Sequence, residues 1–133
     1  MTVMLDTNII ISAGIFGGGR LSEITLRIAD DFNLVLSSAI IKELWEVVER
    51  KFPHKKPVLE RFLKRLSYEI SYTPTEIDTD IYPKIRDPKD YPILASAIIA
   101  DVDLFITGDV DFSFIDIERP EIMRISEFAE KYF

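Results

Sequence analysis

Acidic residues at four distant points of the chain stand where predicted strands and helices would bring their side chains to one site. The four are Asp6, Glu43, Asp90 and Asp109, and Asp111 lies two residues beyond the last of them. Carboxylates about 4 Å apart repel one another by roughly 1–4 kcal/mol per pair, so gathering four of them requires a compensating cation. All-oxygen ligands favour Mg²⁺ or Mn²⁺. The chain has no Cys and one His, which excludes the usual zinc sites.

Asp6 and Asp109 each follow a short apolar segment with the character of a β-strand. The strand before Asp6 is predicted over 3–5, and the strand before Asp109 over 104–107. Ligands of parallel sheets bind at the carboxyl ends of the strands, so both side chains would lie at one edge. Simpler interpretations stay open. Asp6 or Asn8 could cap a helical turn over 9–13, and Asp109 with Asp111 could form an ordinary turn.

Glu43 and Asp90 belong to predicted helices. Glu43 borders the apolar stripe of a helix over 39–51, and a carboxylate turned toward the interior is costly unless it is paired or binds a cation. A neighbouring Lys or Arg is the alternative partner. Asp90 precedes a helix over 91–100, in line with its buried stripe. Capping of that helix is the alternative role for Asp90, and Asp87 is the competing cap.

The elements that must position these side chains alternate between strand and helix. Further strands are predicted over 34–36, 69–72 and 122–125, and further helices over 21–29, 58–67 and 127–132. Between them, a glycine-rich loop is predicted over 16–20 and a long loop with three prolines over 73–89. The alternation predicts an α/β protein, a three-layer α/β/α sandwich on a mostly parallel sheet. A length of 133 residues fits one domain over 1–133.

Charge is distributed unevenly along the chain. The net charge is −7, yet residues 42–65 hold eight basic side chains against four acidic ones. A basic segment beside an acidic metal site suits a phosphodiester backbone, so it is predicted to contact nucleic acid. The alternative is that these side chains only solvate two amphipathic helices. The predicted nucleic-acid contacts are Lys42, Arg50, Lys51, Lys55 and Lys56.

Hydropathy predicts a cytoplasmic protein without a membrane partner. The longest uncharged stretch, over 7–19, is shorter than the roughly 20 apolar residues that a membrane span needs. The first residues lack the basic and then apolar pattern of a secretion signal.

The acidic residues and their flanking sequences resemble those of the PIN-domain nucleases. The matching segments are LDTN at 5–8, SAIIKEL at 38–44, RDPKD at 86–90, ILASA at 93–97 and ITGDVDF at 106–112. They span nearly the whole chain in the order and spacing of the family. The resemblance implies a five-stranded parallel sheet and a supporting polar residue, Thr107 or Asn8. It maps the catalytic, metal-binding carboxylates onto Asp6, Glu43, Asp90 and Asp109, with Asp111 as a candidate fifth ligand.

The segments RDPKD and ITGDVDF look like those of the VapC-like branch, the toxins of toxin–antitoxin pairs. That resemblance implies an endoribonuclease that forms a homodimer and is inhibited by a small antitoxin. In the expected reaction, one or two Mg²⁺ or Mn²⁺ ions activate water for in-line attack on the phosphorus of RNA. The resemblance implies a 5′-phosphate product.

Two other functions remain as alternatives. A non-catalytic module would keep the acidic pocket for a regulatory cation or a partner peptide, and it would bind RNA without cutting it. A small phosphatase of the haloacid-dehalogenase type also places Asp after its first strand. It needs a second Asp two residues later, where this chain has Asn8.

Overall fold

The computed structural model describes residues 1–17 and 19–133. Its strands are β1 (Thr2–Leu5), β2 (Asn33–Ser37), β3 (Glu69–Ser71), β4 (Leu104–Ile106) and β5 (Glu121–Met123). The α-helices of that part of the chain are α1 (Thr7–Gly14), α2 (Gly19–Asp31), α3 (Ser38–Lys51), α4 (Lys56–Arg65), α5 (Tyr91–Ile99) and α6 (Ile125–Tyr132). Short 3₁₀ helices cover Pro53–Lys55, Thr79–Ile81, Pro88–Asp90 and Val110–Phe114. The strands form one parallel sheet in the order β3-β2-β1-β4-β5.

Both faces of this sheet are covered. In β1, Val3, Met4 and Leu5 are all fully buried, although successive side chains of a strand point to opposite faces. Parallel strands are joined by helical crossovers that pack on both faces, which is why such strands are continuously apolar. The predicted α/β/α sandwich on a five-stranded parallel sheet is confirmed.

The strand order changes direction at β1, which has β2 on one side and β4 on the other. Such a switch leaves a crevice beyond the carboxyl ends of the two diverging strands. The register pairs Leu5 with Ile106, so the next residues, Asp6 and Thr107, emerge side by side. The N–H of Asp6 also donates to the carbonyl of Ile106 at 2.9 Å, which extends the ladder to the edge of the crevice.

The first turn of α3 is held by side chains from two directions. Ser37 caps the helix by accepting a hydrogen bond from the third backbone N–H that follows it, at 3.1 Å. Thr73, just beyond β3, accepts from the N–H of Ala39 at 3.2 Å. The hydroxyl of Thr73 also lies 2.7 Å from that of Ser96 in α5. Thr73 therefore connects α3, which carries Glu43, with α5, which follows Asp90.

The end of the last strand was predicted wrongly. The strand expected over 122–125 ends at Met123, and Ile125 already begins α6. The cause is local, because the N–H of Arg124 donates to the Glu127 carboxylate at 3.4 Å, a contact that closes the first helical turn.

Two predicted elements near the start of the chain also differ from the structure. The turn expected over 9–13 is the longer helix α1, and α2 begins at Gly19, inside the predicted loop over 16–20. Gly18 of that loop lies outside the described residues. The loop over 73–89 contains the 3₁₀ turn Thr79–Ile81. Within residues 1–17 and 19–133, no helix has the length and apolar character that a membrane crossing requires.

Candidate metal centre

Asp6 is buried where β1 passes into α1. Its Oδ1 accepts a hydrogen bond from the N–H of Thr7 at 2.7 Å, so Asp6 does cap α1. Its Oδ2 accepts from the hydroxyl of Thr107 at 2.6 Å. Burial raises the pKa of Asp6, and these two hydrogen bonds oppose the rise. Each carboxylate oxygen can accept two bonds, so capping leaves Asp6 able to bind a cation as well.

Thr107 joins the ends of β1 and β4. Its hydroxyl donates to Asp6 and accepts from the N–H of Asp109 at 3.0 Å. Oδ1 of Asp109 in turn accepts from the N–H of Asp111 at 2.9 Å, which starts the 3₁₀ helix Val110–Phe114. Asp109 and Asp111 thus form the turn that the simpler interpretation expected. The same turn brings their carboxylates together.

Asp90, Asp109 and Asp111 form the tightest part of the acidic cluster. Each offers a carboxylate oxygen, and these oxygens lie within 4.8 Å of one another. Two oxygen ligands that each lie about 2.0–2.6 Å from the same divalent cation are separated from one another by no more than about 5 Å. The spacing of these three carboxylates therefore suits one shared ion. Nη1 of Arg86 lies 3.6 Å from Oδ1 of Asp111, but the Arg86 side chain is 81% exposed, so this pair is loosely held.

Asp90 precedes α5 without capping it. In the described part of the chain its side chain makes no capping hydrogen bond, whereas Asp87 accepts from the N–H of Lys89 at 3.1 Å. Asp87 therefore caps the 3₁₀ helix Pro88–Asp90 that leads into α5, and the Asp90 carboxylate lies with those of Asp109 and Asp111. Burial, followed by the negative charge of Asp109, raises the pKa of Asp90 to about 7.

Glu43 borders the same cluster from α3, where its side chain is half-buried. Burial raises its pKa, and the charge of Asp6 raises it further. The hydroxyl of Thr7 lies beside Glu43 and lowers that pKa, but it does not complete a hydrogen bond. The adjacent Lys42 pairs with Glu46 instead, at 3.9 Å.

The four predicted acidic residues share one electrostatic environment, although they are not equally close. Asp6 and Glu43 lie outside the set of three with common ligand spacing, and both contribute to the raised pKa of Asp90. Among the described residues, none of the four forms an ion pair with a Lys or Arg side chain. A basic neighbour therefore does not neutralise them.

A cleft of about 790 Å³ runs from the cluster along α3. Glu43 and Asp90 lie on its wall, together with the cations Lys42, Arg50 and Lys89. Lys89 was missed by the sequence analysis, and its place directly before Asp90 was the signal that could have found it. Glu46, which pairs with Lys42, and Asp87 line the cleft as well, so its three positive charges lie among four carboxylates. These three cations are the groups of the wall that could contact phosphates.

The remaining predicted residues lie apart from this cleft. Lys51, Lys55 and Lys56 do not line it, and Lys56 pairs with Glu49 at 3.3 Å. Asn8 is exposed on α1, whereas Thr107 contacts Asp6 directly, so Thr107 is the better placed of the two supporting candidates.

The donor set fits a hard divalent cation. Its members are carboxylates that repel one another, and burial together with that repulsion raises the pKa of Asp6, Glu43 and Asp90. The described cluster offers oxygen ligands, without the nitrogen or sulfur donors that zinc prefers. The hydroxyl of Thr7 is buried beside Glu43 and has no hydrogen-bond partner among the described residues. This unpaired group also indicates that the site takes up a further ligand.

An α/β protein with a carboxylate cluster at its strand switch point is the class that the fold and the site define. The model of the PIN domain family matches residues 2–111, and the chain belongs to that family. No curated protein sequence is significantly similar to the chain.

The solved structures that share the fold include a VapBC protein and a VapC toxin. One is VapBC2 from Rickettsia felis bound to a DNA fragment from its promoter; the match has 22% identity and a TM-score of 0.71 and covers 93% of this chain and 98% of that one. The other is VapC20 from Mycobacterium tuberculosis, a toxin that cleaves the Sarcin-Ricin loop, at 13% identity and a TM-score of 0.56, covering 84% of this chain and 92% of that one. The resemblance to VapC-like PIN proteins is thereby confirmed at the level of the fold.

Proposed function

We propose that this PIN-domain protein is a metal-dependent endoribonuclease and the toxin of a toxin–antitoxin pair. The observation that carries the proposal is the convergence of carboxylates from separate elements without a basic partner among the described side chains. Membership of the PIN domain family supports nuclease activity. The fold shared with a toxin that cleaves the Sarcin-Ricin loop supports RNA as the substrate.

The acidic residues would hold one or two Mg²⁺ or Mn²⁺ ions. The ligands would come from Asp6, Glu43, Asp90, Asp109 and Asp111. A bound ion supplies Lewis-acid activation of water and stabilises charge on the phosphoryl oxygens. Thr107 would keep Asp6 and Asp109 in register, since its hydroxyl contacts both.

The substrate backbone would lie in the cleft along α3. Lys42, Arg50 and Lys89 would contact phosphates on its wall, which positions a phosphodiester next to Asp90. Without a cation, Asp90 would hold a proton near neutral pH, because its pKa is about 7. A cation in the cluster would favour the ionised form.

A small antitoxin and a second copy of the chain are the proposed protein partners. The support is the fold shared with VapBC2, which was solved with promoter DNA. The cytoplasm is the proposed location, since RNA substrate and antitoxin would both be found there.

The decisive experiment measures cleavage of a single-stranded RNA with Mn²⁺, with excess EDTA, and with the Asp6→Asn variant. We expect EDTA to abolish cleavage and Asp6→Asn to reduce it by at least about 100-fold while the fold is retained. Asp30→Asn, an exposed substitution on α2, is the matched control and should retain full activity.

Full activity of Asp6→Asn, or in EDTA, would contradict the proposal. Saturable RNA binding without cleavage under any divalent metal would instead favour the non-catalytic binding module. Turnover of a generic phosphomonoester would favour the phosphatase.

A further inference from the structure

Thr7 has a buried hydroxyl without a partner. The residue is 1% exposed, and its Oγ1 is the buried side-chain oxygen or nitrogen that lacks a hydrogen bond within residues 1–17 and 19–133. The other two threonines buried in that part of the chain are both satisfied: Thr25 donates to the carbonyl of Leu21 at 2.8 Å, and Thr107 donates to Asp6. Buried hydroxyls in native proteins are almost always bonded, so the exception calls for an explanation.

The surroundings of Thr7 supply one. Its backbone N–H already donates to Oδ1 of Asp6, and its hydroxyl lies beside the carboxylate of Glu43. Thr7 thus contacts the buried carboxylate that follows β1 and lies beside the half-buried carboxylate of α3. A hydrogen bond from its hydroxyl to Glu43 would satisfy the buried group.

We infer that Thr7 is a positioning residue, whose hydroxyl donates to Glu43 when that carboxylate turns into the cluster to bind a divalent cation. The inference rests on the proposed function, because it requires the cluster to take up a cation. It goes further by naming what orients Glu43. The carboxylates of Asp6 and Asp109 accept hydrogen bonds from Thr7, Thr107 and Asp111. Glu43 accepts none among the described residues, and it is the carboxylate beside the unpartnered hydroxyl.

The inference predicts opposite effects of Thr7→Val on stability and on metal binding. Valine has nearly the same shape, so in EDTA it removes a buried hydroxyl that has no partner, and the melting temperature should be unchanged or higher by a few degrees. Mn²⁺ affinity, measured by calorimetric titration, should fall by about 10-fold because the hydrogen bond to a charged ligand is lost. Thr7→Ser keeps the hydroxyl and should retain most of that affinity.

Thr25→Val is the matched control, since Thr25 is equally buried and lies on α2, which carries none of the site residues. It loses a satisfied hydrogen bond, so it should lower the melting temperature and leave Mn²⁺ affinity unchanged.

Wild-type Mn²⁺ affinity in Thr7→Val would overturn the inference and leave the proposed function standing. Absence of Mn²⁺ binding by the wild-type protein would overturn both. Unfolding of Thr7→Val in EDTA would show that the hydroxyl already has a structural partner, and loss of affinity in Thr7→Ser would assign the effect to packing of the methyl group. Either result would also overturn the inference.

Discussion

At the scale of single residues, burial raises the pKa values of carboxylates in the acidic cluster, and hydrogen bonds oppose that rise. Asp6 is the most buried member and receives two hydrogen bonds, which stabilise its charged form. Asp90 is less buried but has no capping contact in the described structure, and its pKa is about 7. Burial is the largest cause of the raised pKa of both carboxylates; hydrogen bonds oppose the rise at Asp6, whereas negative neighbours add to it at Asp90.

The metal-free protein should lose stability as the pH rises. The folded-state pKa of Asp90 is raised from 3.8 to about 7, so between these values the folded state binds a proton that the unfolded state has released. Stability is thus highest at the acidic end, falls through this window and is constant above it. We expect the melting temperature in EDTA to be lower at about pH 8 than at about pH 5, and Mn²⁺ should reverse the difference.

Asp90→Asn tests that assignment. The variant should exceed the wild-type melting temperature by a few degrees at about pH 8 in EDTA, and the difference should shrink as the pH falls toward 3.8, where the unfolded carboxyl is protonated as well. The gain is modest because Asp90 is partly exposed and solvent screens its neighbours. An equal pH dependence in the variant and the wild-type protein would show that Asp90 does not carry the raised pKa.

The residue types and their spacing predicted the members of the cluster but not their contacts. Asp6 and Asp109 could be found because a carboxylate after an apolar strand lies at the edge of a parallel sheet. The closeness of Asp111 depends on the 3₁₀ turn, and the orphan hydroxyl of Thr7 depends on how α1 packs against α3. Both are tertiary facts that no sequence period encodes.

At the scale of elements, the carboxyl ends of β1 and β4 are joined by one side chain. Thr107 follows β4, and its hydroxyl bonds to Asp6 after β1 and to the N–H of Asp109. The sheet register alone places these chain ends side by side, and Thr107 fixes their relative rotation. The ends of β1 and β4 were predictable, whereas the start of α6 at Ile125 was not, because Ile122, Met123 and Ile125 also suit a strand.

Thr107→Val should destabilise the protein, in contrast to Thr7→Val. The substitution leaves Oδ2 of Asp6 without a donor and the N–H of Asp109 without an acceptor, which costs about 1–3 kcal/mol of the free energy of unfolding. Urea denaturation in EDTA measures it, and Thr107→Ser should restore most of the loss. RNA cleavage should fall together with stability, by about 10-fold or more.

The comparison of the two threonines is a stringent test, since both lie next to Asp6 and both become valine. Equal changes in the free energy of unfolding would contradict the hydrogen-bond pattern on which the site description depends. A stabilised Thr107→Val variant would do so as well.

At the scale of the whole molecule, an acidic protein must bind a polyanion. The net charge of −7 repels RNA at long range, so contact depends on cations gathered at one place. The basic segment over 42–65 was predicted from composition, but only part of it lines the cleft. Lys42 and Arg50 lie on the same side of α3 because they are eight residues, or a little over two turns, apart. Lys51 follows Arg50 by one residue, so its side chain is rotated by about 100° from that of Arg50 around the helix axis.

Two triple variants with the same charge change separate the cleft from the rest of the basic surface. In the Asp6→Asn background, which keeps RNA intact, replacement of Lys42, Arg50 and Lys89 by Gln should weaken binding of a single-stranded RNA by about 10-fold or more at moderate salt. Each phosphate contact contributes about 0.7 to the slope of log affinity against log salt, so three contacts should reduce that slope by about 2. The matched triple replacement of Lys51, Lys55 and Lys56 by Gln should change the slope little, because these side chains do not line the cleft. Fluorescence anisotropy over about 50–300 mM salt measures both slopes. Equal losses in the two variants would mean that RNA senses only the overall charge, and the cleft along α3 would then not be its path to the carboxylates.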